Sequence, residues 1–202
     1  MILFKFCYGP IQTNAILFGC PRTKKGAVVD SPSGSTEAIL AKAKEIDLKI
    51  EKILLTHSHW DHIADLSVLK EKTGAPVYVH ELDAGNVEHP GSDGLGHSSI
   101  QGVVPDLFLS EGLEVGDLRV EVIHTPGHSP GGVCFYFRKE GVLISGDTLF
   151  RGCTGRVDLP TSHSSLMWES LHKLAKLPPE TRVIPGHGKD TTIGQEDWLD
   201  KT

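Results

Sequence analysis

The sequence predicts an α/β fold of four layers, αββα, in which two β-sheets pack face to face and helices cover their outer surfaces. Two successive runs of short apolar, β-branched segments, each followed by helical periodicity, point to that arrangement. Length agrees with it: 202 residues, 39% hydrophobic and 23% charged, can bury one sizeable core, so a single domain is expected over residues 1–202. The two runs share no obvious sequence repeat, so any halving is architectural.

In chain order, residues 2–6, 15–18 and 27–29 are apolar runs punctuated by Gly, Pro and Asn, which predicts an antiparallel meander. From Ser35 the period becomes helical, with Ile39, Leu40, Ala43 and Ile46 on one face and lysines opposite. Ser35 is the expected N-cap, and Glu37 lies in the first turn. Residues 53–55 form a short buried strand, 56–62 a loop, and a helix carrying Leu66 and Leu69 follows. A strand at 77–79 precedes a polar, glycine-rich stretch, 85–105, which without periodicity reads as a long surface loop. Strands are then expected near 118–123, 133–137, 142–145 and 182–184. A helix near 165–177 should turn Leu166, Leu171 and Leu174 to the core.

The formal net charge of -6 and the lack of a basic run argue against nucleic-acid binding, which needs a concentrated cationic surface. No run of about eighteen apolar residues predicts a membrane span. The first residues carry no export signal, and Cys7, Cys20, Cys134 and Cys153 form no C-x-x-C pair, so a reducing cytoplasm is the expected location. Nothing in the pattern fixes an oligomeric state.

Histidine is the unusual component, with eleven in the chain. Thr56-His57-Ser58-His59-Trp60-Asp61-His62 places four potential ligands within six residues. In an extended loop, residues two apart point the same way, so His57 and His59 can converge on one ion while Asp61 and His62 reach a neighbouring position. His124-Thr125-Pro126-Gly127-His128 follows a strand, and its Pro and Gly make a tight turn that aims His128 inward. His124, at the strand end, reads as a packing residue. Ser145-Gly146-Asp147 puts a carboxylate after an apolar strand, where it could bridge two ions, and Pro185-Gly186-His187-Gly188 ends the last strand with an imidazole. Nitrogen and oxygen donors of this kind suit zinc, iron or manganese, with zinc foremost.

These segments, with Gly9-Pro10-Ile11-Gln12-Thr13-Asn14, Gly155-Arg156 and Thr191-Thr192-Ile193-Gly194, resemble the metallo-β-lactamase superfamily, in particular its glyoxalase II (hydroxyacylglutathione hydrolase) branch and short bacterial relatives. The resemblance implies one or two divalent ions, the first on His57, His59 and His128, the second on Asp61, His62 and His187. Asp147 would bridge them, and Asp61 and Asp147 count as catalytic. It further implies a metal-activated hydroxide that attacks the acyl carbon of a small-molecule thioester such as S-lactoylglutathione.

By the same resemblance Arg156 binds a substrate carboxylate, although Asp158 is an equal candidate partner for it. Only a short tail follows His187, so the glyoxalase II C-terminal helical domain is expected to be absent. Asp158 stands where a Tyr of that family contacts the substrate, and Gly188 replaces an acidic residue that there precedes a glutathione-contacting Tyr, with no Tyr following here, which weakens glutathione specificity. Other readings are a persulfide dioxygenase of the same fold using one iron on His57, His128 and Asp147, and a non-catalytic metal-binding member. The residues Thr148-Leu149-Phe150 look more like the hydrolase version. β-Lactam hydrolysis ranks lower, because no export signal places the chain in the periplasm.

Overall fold

The computed structural model describes residues 1–97, 99–110 and 112–199. The meander forms as β1 (Ile2–Tyr8), β2 (Thr13–Gly19) and β3 (Lys25–Val29), each antiparallel to its neighbour. Then come α1 (Thr36–Glu45), β4 (Lys49–Leu54), α2 (Trp60–Ile63), α3 (Leu66–Thr73), β5 (Val77–Val79), α4 (Glu81–Glu88) and β6 (Leu107–Phe108). Helical crossovers let β4, β5 and β6 join parallel to one another and to β3, giving a six-stranded sheet in the order β1-β2-β3-β4-β5-β6.

The second half begins with β7 (Gly112–Val115), β8 (Leu118–His124), β9 (Val133–Phe137) and β10 (Val142–Gly146), a second antiparallel meander. A small hairpin of β11 (Leu149–Phe150) and β12 (Cys153–Thr154) and the helix α5 (Ser164–Leu174) follow. β13 (Arg182–Pro185) then pairs parallel to β10, and β14 (Thr191–Thr192) closes the sheet in the order β14-β13-β10-β9-β8-β7.

Period-two alternation divides the core into three apolar layers. Ala15, Leu17, Val28, Ile53 and Leu55 face outward onto Ile39 of α1 and Leu66 and Leu69 of the α3 region. The alternate residues Ile16, Phe18, Ala27, Val29 and Leu54 meet Val133, Phe135, Phe137, Ile144 and Ile184 of the second sheet. Cys134, Tyr136, Leu143 and Val183, on the far face of that sheet, pack against Leu171 and Leu174 of α5. The central strands are apolar on both faces because each face is covered, which is the four-layer arrangement. No helix among the described residues is long and apolar enough to cross a membrane.

Four local expectations need correction. The stretch 85–105 is not simply loop: α4 runs into it as far as Glu88, and its buried residues are Asp83, Asn86 and Val87, so a polar inner face hid it from an apolar-period search. Ser98 of that stretch, like Glu111 and residues 200–202, lies outside the described residues. The loop after β4 ends at His59, and Asp61 and His62 belong to α2. α5 stops at Leu174, and Met167 rather than Leu166 is its buried residue in the first turn. Ser35 occupies the N-cap of α1 in a helical conformation and makes no cap bond; Asp65 instead accepts from Thr36 N at 3.2 Å and Thr36 Oγ1 at 3.0 Å.

Candidate metal centre

The four ligand-bearing segments leave the C-terminal ends of β4, β8, β10 and β13, and hydrogen bonds between the sheets anchor the segments after β4 and β13. Val133 N donates to Thr56 O at 2.8 Å, and Asn14 N donates to Gly186 O at 2.7 Å. Gly186 is required there, because a Cβ would collide with Asp147 Oδ1 and His62 Cε1.

All seven side chains singled out in the sequence meet. His57, His59 and His128 form one group, and Asp61, His62 and His187 another; His57, His62 and Asp147 form a third. Within each group the donor atoms lie within 4.8 Å of one another. Asp147 reaches both of the first two groups: Oδ2 lies 3.4 Å from His128 Nε2 and 3.5 Å from His187 Nε2, and Oδ1 lies 3.4 Å from His62 Nε2. Asp61 Oδ2 lies 3.2 Å from His62 Nε2 and 3.3 Å from His187 Nε2. His124 lies outside the cluster, stacked on His80 with ring centroids 4.1 Å apart and bonded to Pro130 O.

The outer nitrogens of four imidazoles are tied down, which fixes their inner ones. His62 Nδ1 donates to Asp30 Oδ2 at 2.8 Å, His128 Nδ1 to Arg156 O at 2.8 Å and His187 Nδ1 to Ile11 O at 3.2 Å. Thr56 Oγ1 donates to Asp30 Oδ2 at 2.8 Å and so accepts from His57 Nδ1 at 3.0 Å. Each of these rings therefore turns its Nε2 to the cluster, where His128 Nε2 also lies 2.8 Å from His59 Nδ1. Thr13 Oγ1 donates to Asp61 Oδ2 at 2.6 Å.

Asp30, Thr56 and Thr13 are supporting residues that the sequence reading did not assign. Asp30 had a usable signal, since it follows an apolar strand just as Asp147 does.

Buried polar atoms test whether a cation fits. His57 Nε2, His59 Nε2, His62 Nε2 and Asp147 Oδ1 are buried without a hydrogen-bond partner, a state that costs about 1–3 kcal/mol for each group. All four belong to residues of this one cluster; a cation held by His57, His62 and Asp147 would satisfy three of them, whereas His59 turns its other nitrogen, Nδ1, to His128 Nε2 at 2.8 Å. The donor set, five imidazoles and two carboxylates, fits one or two ions.

Burial, then the charges of His62 and His59, push His57 well below the ordinary imidazole value; burial and His128 bring His59 down to about 3. Burial would raise the two carboxylates, but His62 and a hydrogen bond from His187 hold Asp61 at about 2 and Asp147 well below its usual range. Burial would lower His62 and His187 as well. Asp61, Asp30 and Asp147 nonetheless keep His62 well above its ordinary value, and bonds to Asp147 and Asp61 place His187 at about 10. The protein alone thus presents ionised carboxylates neutralised by protonated imidazoles, and an incoming cation displaces those protons.

Five of the cluster residues, His59, Asp61, His128, Asp147 and His187, line an open cavity of about 480 Å³ that is also walled by Ile11, Trp60, Leu95, Phe150, Leu159 and Arg156. Arg156 makes a two-pronged bond to Asp158, Nε to Oδ1 and Nη2 to Oδ2, both 2.9 Å. The sequence left Arg156 between two partners, and the structure realises the Asp158 pair while keeping the guanidinium at the cavity.

The sequence pattern of the metallo-beta-lactamase superfamily matches residues 8–187. The probable metallo-hydrolase YqgX of Bacillus subtilis is 36% identical over 193 residues, which cover 92% of this chain and 89% of that protein. Hydroxyacylglutathione hydrolase GloC of Haemophilus influenzae is 34% identical over 180 residues, covering 86% and 85%. Among solved structures, BLEG-1 B3 metallo-beta-lactamase superposes with a TM-score of 0.88 at 40% identity over 96% of each chain. TTHA1623 in a di-iron-bound form gives 0.81 at 38% identity, again over 96% of each. The fold, the histidine and aspartate cluster and these likenesses agree: the chain belongs to the metallo-beta-lactamase superfamily.

Proposed function

We propose that the chain is a metal-dependent hydrolase of S-acyl thioesters. The observation that carries this reading is the cluster of imidazoles and carboxylates, of which His59, Asp61, His128, Asp147 and His187 line a largely apolar cavity. Likeness to the Haemophilus hydroxyacylglutathione hydrolase supports the thioester class. His57, His59 and His128 would hold one ion and Asp61, His62 and His187 a second, with Asp147 available to either. When bound, such cations supply Lewis acidity, lowering the pKa of a water toward about 7 and polarising the acyl carbonyl.

This chain's own residues do the rest. Asp30, Thr56, Ile11 O and Arg156 O fix the ring orientations, and Thr13 fixes Asp61. The apolar wall would hold the acyl thiol, and Arg156 would orient a substrate carboxylate through paired N–H donors. Elemental analysis together with hydrolysis of S-lactoylglutathione tests the proposal. About two metal equivalents and thioester cleavage are expected, with most of both lost in Asp147→Ala. One iron per chain with oxygen consumption on glutathione persulfide would replace hydrolysis by a dioxygenase reaction.

Likeness to BLEG-1 at 40% identity favours one second reading, β-lactam hydrolysis. A chromogenic cephalosporin cleaved with higher kcat/KM than any thioester would establish it in place of the first.

A further inference from the structure

The inner face of α4 is polar, and it points at the ligand loops. Asp83 is buried, and its two carboxylate oxygens serve different segments: Oδ2 accepts from Ser58 N at 2.9 Å and Oδ1 from Gly131 N at 2.6 Å. Ser58 lies between His57 and His59, and Gly131 lies three residues after His128. One carboxylate therefore ties together the two loops that supply the first group of imidazoles. Glycine at 131 permits the approach, since a Cβ there would stand 2.7 Å from Asp83 Oδ1.

One turn further along, Asn86 donates to Ser58 O at 2.8 Å and Asp93 Oδ2 at 3.0 Å, and accepts from Gly91 N and Asp93 N at 3.1 Å each. The stretch anchored in this way leads to His97, which stacks on Trp60 with centroids 4.1 Å apart. The same helix face thus serves both the ligand loops and the wall of the cavity.

We propose that Asp83 is a positioning residue that sets the spacing between His57, His59 and His128, and through it the affinity of one of two ion sites. The proposal rests on the reading of those histidines as ligands. Its physical basis is the acceptor-only character of an ionised carboxylate, which suits two converging N–H groups. Asparagine has nearly the same shape but one acceptor and one donor, so Asp83→Asn must turn an NH2 toward one of the two backbone N–H groups. The loops are then pushed apart without a change of volume.

The test is titration of the metal-free protein with cobalt(II), followed by visible absorption and by competition with a chelator, alongside circular dichroism. Wild type is expected to bind two ions. Asp83→Asn should bind one of them about tenfold or more weakly, with an altered absorption band, while the other changes by less than about twofold. Gly131→Ala, which strikes the same contact from the opposite loop, should do likewise, and Glu81→Gln on the exposed side of α4 should match wild type. Both affinities in Asp83→Asn within about twofold of wild type, or an equal loss at both sites, would overturn the positioning role alone. Wild-type protein that takes up no cobalt would overturn the ligand assignment together with it.

Discussion

His62 Nδ1 lies 2.8 Å from Asp30 Oδ2, so a carboxylate at the end of β3 decides which nitrogen of His62 faces the cluster. The same oxygen accepts from Thr56 Oγ1, whose own lone pair orients His57. Replacing Asp30 by Ala should therefore loosen two imidazoles at once. The expected outcome is a fall in metal affinity of about 10–100-fold, the usual effect of losing such a partner. Chelator competition measures it, and an unchanged affinity would show that the rings orient without Asp30.

Gly186 packs against Asp147 and His62 where no side chain fits. Gly186→Ala should displace one or both ligands, with loss of most bound metal and a stability cost of about 1–3 kcal/mol from overpacking. Elemental analysis and denaturant titration separate the two effects. Full metal content in this variant would contradict the close approach.

His187 should make the metal-free protein alkali-sensitive. Its folded-state value of about 10 exceeds the value of about 6.5 in an unfolded chain. Its contribution is therefore complete below about pH 6.5 and is lost as pH rises through about 10. Asp61, held at about 2, contributes above about pH 3.8, and that contribution is lost as pH falls through about 2. The Tm of chelator-treated protein should fall between pH 7 and 10, and His187→Gln should flatten that decline. A Tm in the wild type that rises over this range would contradict the assignment.

Thiol chemistry reads out the cavity. Cys7 and Cys153 are exposed, whereas Cys134 is buried and its thiol is pushed up to about 11 by that burial. A disulfide reagent at pH 8 should modify Cys7 and Cys153 rapidly and Cys134 only after unfolding. Because Cys153 lines the cavity, a competitive thioester analogue should slow its labelling several-fold in a Cys7→Ser background. No protection would place the substrate elsewhere.

Arg156 and Asp158 are each 69% exposed, so their pair is worth little and yields readily to a substrate carboxylate. Arg156→Ala should raise KM for anionic thioesters several-fold with kcat within about twofold, since it removes binding common to ground and transition states. Steady-state kinetics on an anionic and a neutral thioester check this. An unchanged KM would remove Arg156 from the substrate site.

By itself the sequence determined the layered α/β class, the main strands and the seven residues of the cluster. Those features depend on local regularities: period-two apolar runs, and imidazoles and carboxylates packed at strand ends. Tertiary structure alone decided the rest. α4 was hidden because the polar groups it buries, Asp83 and Asn86, gain partners from Ser58, Gly131, Gly91 and Asp93, distant or irregular segments whose positions no local pattern encodes. Thr13 and Asp30 likewise owe their roles to partners 48 and 32 positions away, Asp61 and His62. A ligand's identity is written in its own side chain, whereas its orientation is set by hydrogen bonds that exist only once the two sheets have closed on each other.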